Sequence, residues 1–157
     1  MQKIVPTLWF DTEAEEAANF YVSLFPDGRI LETFYFTEAG PRPAGMVLTV
    51  AFEIGGQQYI ALNGGPEFRF NESISLMINC EDQAEIDRLW AALTEGGEES
   101  QCGWLKDKYG VSWQVTPYAL EEMQRDPDGE KVRRMMEALL TMTKLDLAAL
   151  QAAFEGR

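Results

Sequence analysis

Histidine is absent from this chain of 157 residues. Its absence excludes Ser-His-Asp and Cys-His nucleophile systems, imidazole acid–base catalysis near neutral pH, and most zinc sites. Any chemistry would have to use carboxylates, Cys, Tyr, Lys or a bound cofactor. The only cysteines, Cys80 and Cys102, have the spacing of neither a metal site nor a redox pair. We expect both thiols to be reduced, because a chain of this size has enough core to fold without a disulfide.

Basic residues and long apolar runs are also scarce. Only 13 Lys and Arg residues stand against 26 Asp and Glu residues, which gives a formal net charge of −13. Such a charge repels nucleic-acid phosphates and anionic lipids, and no apolar run approaches the ~20 residues of a membrane span. Met1-Gln2-Lys3 leads directly into a predicted strand without a basic, apolar leader. We expect a cytoplasmic protein that binds neither nucleic acid nor membrane.

What the sequence does contain is an internal repeat. The segment from Leu8 to Glu15 corresponds to the segment from Ile78 to Glu85, and Phe20 corresponds to Trp90. Each copy passes from an apolar strand through an acidic capping segment into an amphipathic helix, which predicts a duplicated βαβββ module. Two half-sheets of this kind can close a cup, and concave surfaces are where small ligands bind.

The first predicted module covers residues 3–63. Thr12 and Glu15 have the spacing of a capping box, so a helix is expected to begin there. Gly55-Gly56 lies between two apolar runs, which is a hairpin signal. Alternating apolar residues predict strands over 3–10, 29–36, 46–54 and 58–63.

The second predicted module covers residues 73–117. Asp82 and Glu85 cap its predicted helix, and strands are expected over 73–79, 98–105 and 111–116.

The tail, residues 118–157, is helical in pattern. Asp126-Pro127 and Asp146 are its predicted helix starts. We expect this extension to pack on the domain formed by residues 1–117 or on a partner subunit. Its methionine-rich stripe fits a core or dimer contact, with a flexible lid over a ligand as the alternative.

Four motifs lie within residues 3–117: Leu8-Trp9-Phe10-Asp11, Ala61-Leu62-Asn63-Gly64-Gly65-Pro66, the segment from Cys102 to Gly110, and Trp113-Gln114-Val115. With the paired modules, they resemble the vicinal oxygen chelate superfamily of glyoxalases, extradiol dioxygenases and bleomycin-resistance proteins. Within it the chain is similar to the PhnB-like group, whose members carry the label "3-demethylubiquinone-9 3-methyltransferase domain". The resemblance implies an α+β, glyoxalase-like fold, and we expect a homodimer.

The superfamily implies a metal held in the cup by His and Glu side chains. At the positions that resemble these ligands the chain has Gln114, Ser73 or Ser75, Val5 and, for the fourth, a residue near Ile60. A neutral amide is a poorer ligand for a catalytic divalent ion than a carboxylate, and none of the other positions supplies a competent ligand. We therefore predict no metal ligands, no cofactor and no catalytic residues.

The methyltransferase label implies a glycine-rich turn between a strand and a helix in a doubly wound sheet. The glycine pairs of this chain lie in a predicted hairpin, before a proline and after a predicted helix. The sequence therefore shows no residues that would support the methyltransferase activity named in the label.

Strand parity predicts a cup lined by aromatic, hydroxyl and amide groups, which suits a neutral or mildly polar small molecule. The candidate ligand-binding residues are Thr7, Trp9, Asn63, Ser75, Cys102, Trp104, Ser112 and Gln114. Four have an explicit structural alternative: Trp9 as a core residue, Gln114 bonded to a neighbouring strand, Asn63 as a turn cap, and Cys102 as a structural thiol.

Three functional hypotheses follow. The first is a metal-free PhnB-like protein that binds a small organic molecule in a cup. The second is a lyase, isomerase or dioxygenase that holds a divalent ion through Gln114, Asp107 and Glu72. The third is a non-catalytic interaction protein whose tail carries the function. The sequence leaves open whether the protein is an enzyme.

Overall fold

Two compact units make up the chain in this computed structural model, which describes residues 2–157. The first unit ends at Arg69 and the second begins at Phe70. Each contains one four-stranded sheet with the same topology, β1-β4-β3-β2 in the first and β5-β8-β7-β6 in the second. The predicted α+β fold class, with paired βαβββ modules, is confirmed.

In the first unit, the outer strand β1 runs parallel to β4, and the other neighbours are antiparallel. β3 and β4 form the hairpin predicted at Gly55-Gly56. The elements are β1 (Thr7–Phe10), α1 (Ala14–Ser23), β2 (Arg29–Tyr35), β3 (Val47–Ile54) and β4 (Gln57–Asn63).

The core of the first unit lies between α1 and one face of its sheet. Helix α1 contributes small side chains and the buried Tyr21, whose ring centroid lies 6.0 Å from that of Phe52 on β3. Alternate residues of β1, β3 and β4 are buried against the helix, as the period of a strand requires. The opposite surface of each sheet is called its non-helical face below.

The start of α1 differs from the prediction. Glu13 is the N-cap residue and no side chain from the local sequence caps the helix, so the predicted capping box of Thr12 and Glu15 is wrong. Instead, Oδ1 of Asn63 accepts a hydrogen bond from the backbone N–H of Ala14 at 2.9 Å. The end of β4 therefore supplies the acceptor that a capping residue usually provides.

The second unit repeats this arrangement, with β5 parallel to β8. Asp82 caps α2 by accepting from the backbone N–H of Glu85 at 2.9 Å, as predicted. The elements are β5 (Leu76–Cys80), α2 (Gln83–Thr94), β6 (Glu98–Glu99), β7 (Trp104–Lys106), β8 (Ser112–Pro117), α3 (Tyr118–Gln124), α4 (Gly129–Leu139) and α5 (Leu147–Glu155).

One predicted strand, over residues 98–105, is two short strands in the structure. Cys102 and Gly103 both have a positive φ, 59° and 84°, and interrupt the chain between β6 and β7. A Cβ on Gly103 would lie 2.9 Å from the carbonyl oxygen of Val115, so a side chain there would clash. The backbone N–H groups of this turn donate to the carbonyls of Met142 and Thr143, both at 2.8 Å.

The C-terminal helices pack within the second unit. Their buried side chains form one cluster: Leu120, Met123, Met135, Leu139, Leu145 and Leu150, with Cys102 against it. Gln83 of α2 fixes the segment before α5, because its Nε2 donates to the carbonyl of Leu145 at 3.0 Å and its Oε1 accepts from the N–H of Leu147 at 2.8 Å.

Two helix starts were predicted in this extension. Asp146 caps α5 as expected. The start predicted at Asp126-Pro127 is wrong, because Asp128 caps α4 and Asp126 accepts from the N–H of Asp128 at 2.8 Å. Within residues 2–157, no helix is long and apolar enough to cross a membrane.

Candidate functional site

The last strand, β8, alternates between two environments. Trp113 and Val115 are buried on the side of α2, so Ser112, Gln114 and Thr116 belong to the non-helical face. This is the parity that the sequence predicts. Strand register then sets Gln114 opposite both Met77 of β5 and Trp104 of β7. The face therefore carries a row in which an amide lies between a thioether and an indole.

Gln114 is held by a neighbouring side chain. Its Nε2 donates to Oγ of Ser75 at 2.9 Å, and the residue is half-buried. The bond is the structural alternative expected for this glutamine, and it fixes the orientation of the carboxamide in the row. Met77 beside it is 55% exposed, so the row presents an apolar contact surface next to polar groups.

A second row lies one step along the sheet. Register places Ser112 opposite Lys106, and Lys106 opposite Glu98. The ammonium of Lys106 forms an ion pair with Glu72. This hydrogen bond raises the pKa of Lys106 and lowers the pKa of Glu72, so both groups are charged at neutral pH.

The sequence placed Ser112 of this row at the site but did not indicate its row partners Lys106 and Glu98. The signal was Gly103 within the predicted strand over 98–105, because a glycine inside a strand pattern marks a bend. A turn at that position would have paired Glu98 with Lys106. Lys106 would then have been placed beside Ser112.

The candidates of the second unit are not all on one surface. Ser75, Trp104, Ser112 and Gln114 come together on the non-helical face. Cys102 lies in the turn before β7, where it packs against the helical cluster of the extension. Its contacts favour the structural role that was the alternative for this thiol.

The candidate residues of the first unit, Trp9 and Thr7, form hydrogen bonds or ring contacts with neighbouring residues of that unit. The indole of Trp9 donates from Nε1 to the carbonyl of Gly65 at 2.9 Å and meets the ring of Phe68 edge-on, with centroids 4.9 Å apart. A Cβ on Gly64 would lie 2.4 Å from the Trp9 ring, so the loop after β4 packs closely over the indole. Thr7 is exposed and donates to the carbonyl of Val5 at 3.3 Å.

Asn63 is buried on the helical face, and both ends of its amide are used. Oδ1 accepts from Ala14, and Nδ2 donates to the carbonyl of Val47 at 2.9 Å. These bonds favour a structural role over a position at the rim of a pocket, although Asn63 caps helix α1 and not the turn that was expected.

Gln114, Ser75 and Asp107, considered above as metal ligands, do not fit a catalytic divalent ion. Gln114 and Ser75 offer an amide and a hydroxyl that are bonded to each other. Asp107 accepts from the indole N–H of Trp113 at 2.9 Å and from the backbone N–H of Val111 at 3.0 Å, on the helical side. In the described part of the chain, 2–157, no three Cys, Asp or Glu residues are grouped to hold a metal ion.

Comparison with known proteins identifies relatives of this fold. A family model described as 3-demethylubiquinone-9 3-methyltransferase matches residues 2–116. The PhnB protein from Bacillus cereus is 37% identical, with a TM-score of 0.68 over 74% of this chain and 99% of its own. Protein PA1353 from Pseudomonas aeruginosa is 25% identical, with a TM-score of 0.61 over 74% of this chain and 98% of its own.

A more distant likeness is informative about the fold alone. The fosfomycin resistance protein FosX from Mesorhizobium loti is 14% identical, with a TM-score of 0.53 over 80% of this chain and all 100% of its own. No protein of curated function matches the chain significantly. The family model ends at residue 116, so the helices α3, α4 and α5 lie outside the matched region.

Proposed function

The chain belongs to the 3-demethylubiquinone-9 3-methyltransferase family, and from that premise we propose that it binds a small organic molecule without a catalytic metal. The binding surface is the non-helical face of the second sheet, as one wall of a cup-shaped pocket. The family is described as a methyltransferase, but we do not include methyl transfer in the proposed function. Both sheets are four-stranded and mixed, whereas a doubly wound parallel sheet with a glycine-rich turn is the usual setting for a nucleotide-like cofactor.

The observation that carries this proposal is the row of Met77, Gln114 and Trp104. Ligand sites combine apolar and aromatic walls with a few oriented polar groups. Here the carboxamide is oriented by Ser75 at 2.9 Å, between an exposed thioether and a half-buried indole. Because Met77 is 55% exposed, a bound molecule can contact both the thioether and the oriented carboxamide.

The metal-dependent alternative requires Gln114, Asp107 and Glu72 to converge on one ion. Gln114 belongs to the non-helical face, whereas Asp107 binds the indole of Trp113 on the helical side. Glu72 is engaged by Lys106. These engagements favour the metal-free proposal.

The proposal is tested on protein purified from cells without a histidine tag. We expect denaturation to release an organic molecule, detected by mass spectrometry, and metal analysis to find far less than one ion per chain. Gln114→Ala should retain about tenfold less of that molecule, since tenfold corresponds to the ~1.4 kcal/mol that an oriented hydrogen bond can supply.

Gln124→Ala is the matched control, because Gln124 is an exposed glutamine of α3. It should retain the molecule at the level of the unchanged protein. Stoichiometric, tightly bound metal would refute the metal-free proposal. A molecule retained equally by both variants would refute the proposed surface.

We also propose that the protein is a homodimer. Both units expose large apolar side chains outside the proposed ligand row: Phe34 and Tyr35 in the first unit and Ile74 in the second. Large exposed apolar side chains are candidates for an association surface. Sedimentation should give twice the chain mass of 17.7 kDa, and Phe34→Ser should shift the protein toward monomer. A monomer across the micromolar range would refute this proposal.

A further inference from the structure

A cleft of about 280 Å³ opens on the second unit, next to the row just described. It lies where β8 begins, and the segment before β5 contributes Glu72 to its wall. Its charged lining consists of Glu72, Glu98, Glu99 and Lys106, with Ser112 and Trp104 beside them. The volume suits one small organic group.

The surroundings of Ser112 indicate that this cleft binds a ligand. The residue is only 2% exposed, and its Oγ has no hydrogen-bond partner among residues 2–157. Buried hydroxyls in folded proteins nearly always have a partner. Because the same residue lines the cleft, a polar atom bound there would supply the missing bond.

The charges of the residues that line the cleft determine which kind of polar group can bind there. Lys106 is the only cation of the cleft, and Glu72 already binds it. Glu99 accepts from the indole N–H of Trp90 at 2.8 Å. Glu98 interacts with the charge of Lys106 but makes no side-chain hydrogen bond within residues 2–157. The lining therefore has an excess of carboxylates. A bound anion would be repelled and a bound cation attracted.

We infer that this cleft binds the ammonium group of a small organic cation, an inference that rests on the proposed function and names its ligand class. The ammonium donates to Oγ of Ser112 and to the carboxylate of Glu98. Its organic part contacts Trp104, whose indole also attracts cations through the face of the ring. Trp104 belongs to the row with Gln114, so one ligand spans both rows.

Three probes of nearly equal size test the charge preference: 2-phenylethylammonium, 2-phenylethanol and phenylacetate. Titrations are followed by the indole N–H signal of Trp104 in two-dimensional NMR, assigned with Trp104→Phe. We expect the ammonium to bind about tenfold more tightly than the alcohol, because charge-assisted bonds are about twice as strong as neutral ones. Phenylacetate should bind most weakly, and 1 M salt should reduce the difference.

Two variants locate the ammonium. Glu98→Gln and Ser112→Ala should each lower the affinity for 2-phenylethylammonium by about threefold to tenfold. This is the effect expected from the loss of one charge-assisted hydrogen bond at a partly solvated site. Glu122→Gln, an exposed glutamate of α3, should leave binding unchanged. Ser112→Ala should not lower the melting temperature, since it removes a buried hydroxyl that has no partner.

The outcomes separate this inference from the proposed function. If the alcohol or the carboxylate binds as tightly as the ammonium, or if Glu98→Gln has no effect, the cationic ligand class is refuted. The surface itself would still be supported if those probes shift the Trp104 signal. If no probe shifts it, the inference is refuted, and the molecule released from purified protein decides the proposed function independently.

Discussion

Gln114 of β8 donates a hydrogen bond from Nε2 to Oγ of Ser75, at 2.9 Å. The resemblance to the superfamily sets Gln114 at the position of a metal-binding glutamate and Ser73 or Ser75 at that of a histidine, and in the structure Gln114 bonds to Ser75. A carboxamide in this geometry directs its carbonyl oxygen away from Ser75 as an acceptor. The pair therefore presents an oriented hydrogen-bonding group on the non-helical face of the second sheet.

Removing either partner of this bond should cost stability in a coupled way. We expect Ser75→Ala and Gln114→Ala each to lower the free energy of unfolding by about 1 kcal/mol, the usual net value of a half-buried hydrogen bond. The double variant should lose less than the sum, with a coupling energy of about 0.5–1 kcal/mol. Urea unfolding of the four proteins measures the cycle.

Ser73→Ala provides the control, because Ser73 is exposed and bonds only to Asn71 nearby. Combined with Gln114→Ala, it should be additive to within about 0.5 kcal/mol. An additive result for the Ser75 cycle would show that the bond contributes nothing to stability.

Much of the fold could be predicted because burial on one face dictates periodicity. Trp113 and Val115 must face a helix, so Ser112 and Gln114 must face the other way. The start of α1 could not be predicted in the same manner, because its acceptor is Asn63, far away in sequence. Local capping patterns describe only the acceptors that the neighbouring residues offer.

The amide of Asn63 should be important for the first unit. Asn63→Ala leaves the N–H of Ala14 and the carbonyl of Val47 without their partners, and we expect a loss of about 2–3 kcal/mol in the free energy of unfolding. Asn19→Ala, at an exposed asparagine of α1, should change stability by less than about 0.5 kcal/mol. Equal effects of the two variants would contradict a capping role for Asn63.

Less of the candidate site than of the fold was predictable. Ser75, Ser112 and Gln114 follow from strand parity, but Lys106 and Glu98 become neighbours only through the turn at Cys102 and Gly103. That turn is fixed by the carbonyls of Met142 and Thr143, in the extension. A local sequence pattern does not predict a backbone contact between residues so far apart in the chain.

The extension should therefore stabilise the strands that carry the site. Leu145 is fully buried, and its side chain would lie 3.1 Å from a Cβ on Gly103. Leu145→Ala should cost about 2–5 kcal/mol and increase amide exchange at Cys102 and Gly103. Leu140→Ala is the control, since Leu140 is 66% exposed and its truncation should cost less than about 0.5 kcal/mol. Unchanged exchange in Leu145→Ala would contradict this link.

The two thiols should differ in reactivity because of where the fold places them. Burial raises the pKa of the Cys80 thiol to about 12, since a thiolate is poorly solvated in an apolar core. At pH 8 the thiolate fraction is then about one in ten thousand, and the fully buried sulfur is also inaccessible to reagents. We expect iodoacetamide to leave Cys80 of the native protein unmodified from pH 7 to pH 10, as peptide mass spectrometry would report.

In denaturant both thiols should react fully, which controls for the chemistry of the reagent. The half-buried Cys102 should be modified in the native protein before Cys80. Because the folded state keeps the proton of Cys80 that the unfolded state releases above its ordinary pKa, this group stabilises the fold less as the pH rises from about 9 toward 12. Cys80→Ala should therefore lose less stability than the unchanged protein over that interval. Rapid native alkylation of Cys80 at pH 8 would contradict both expectations.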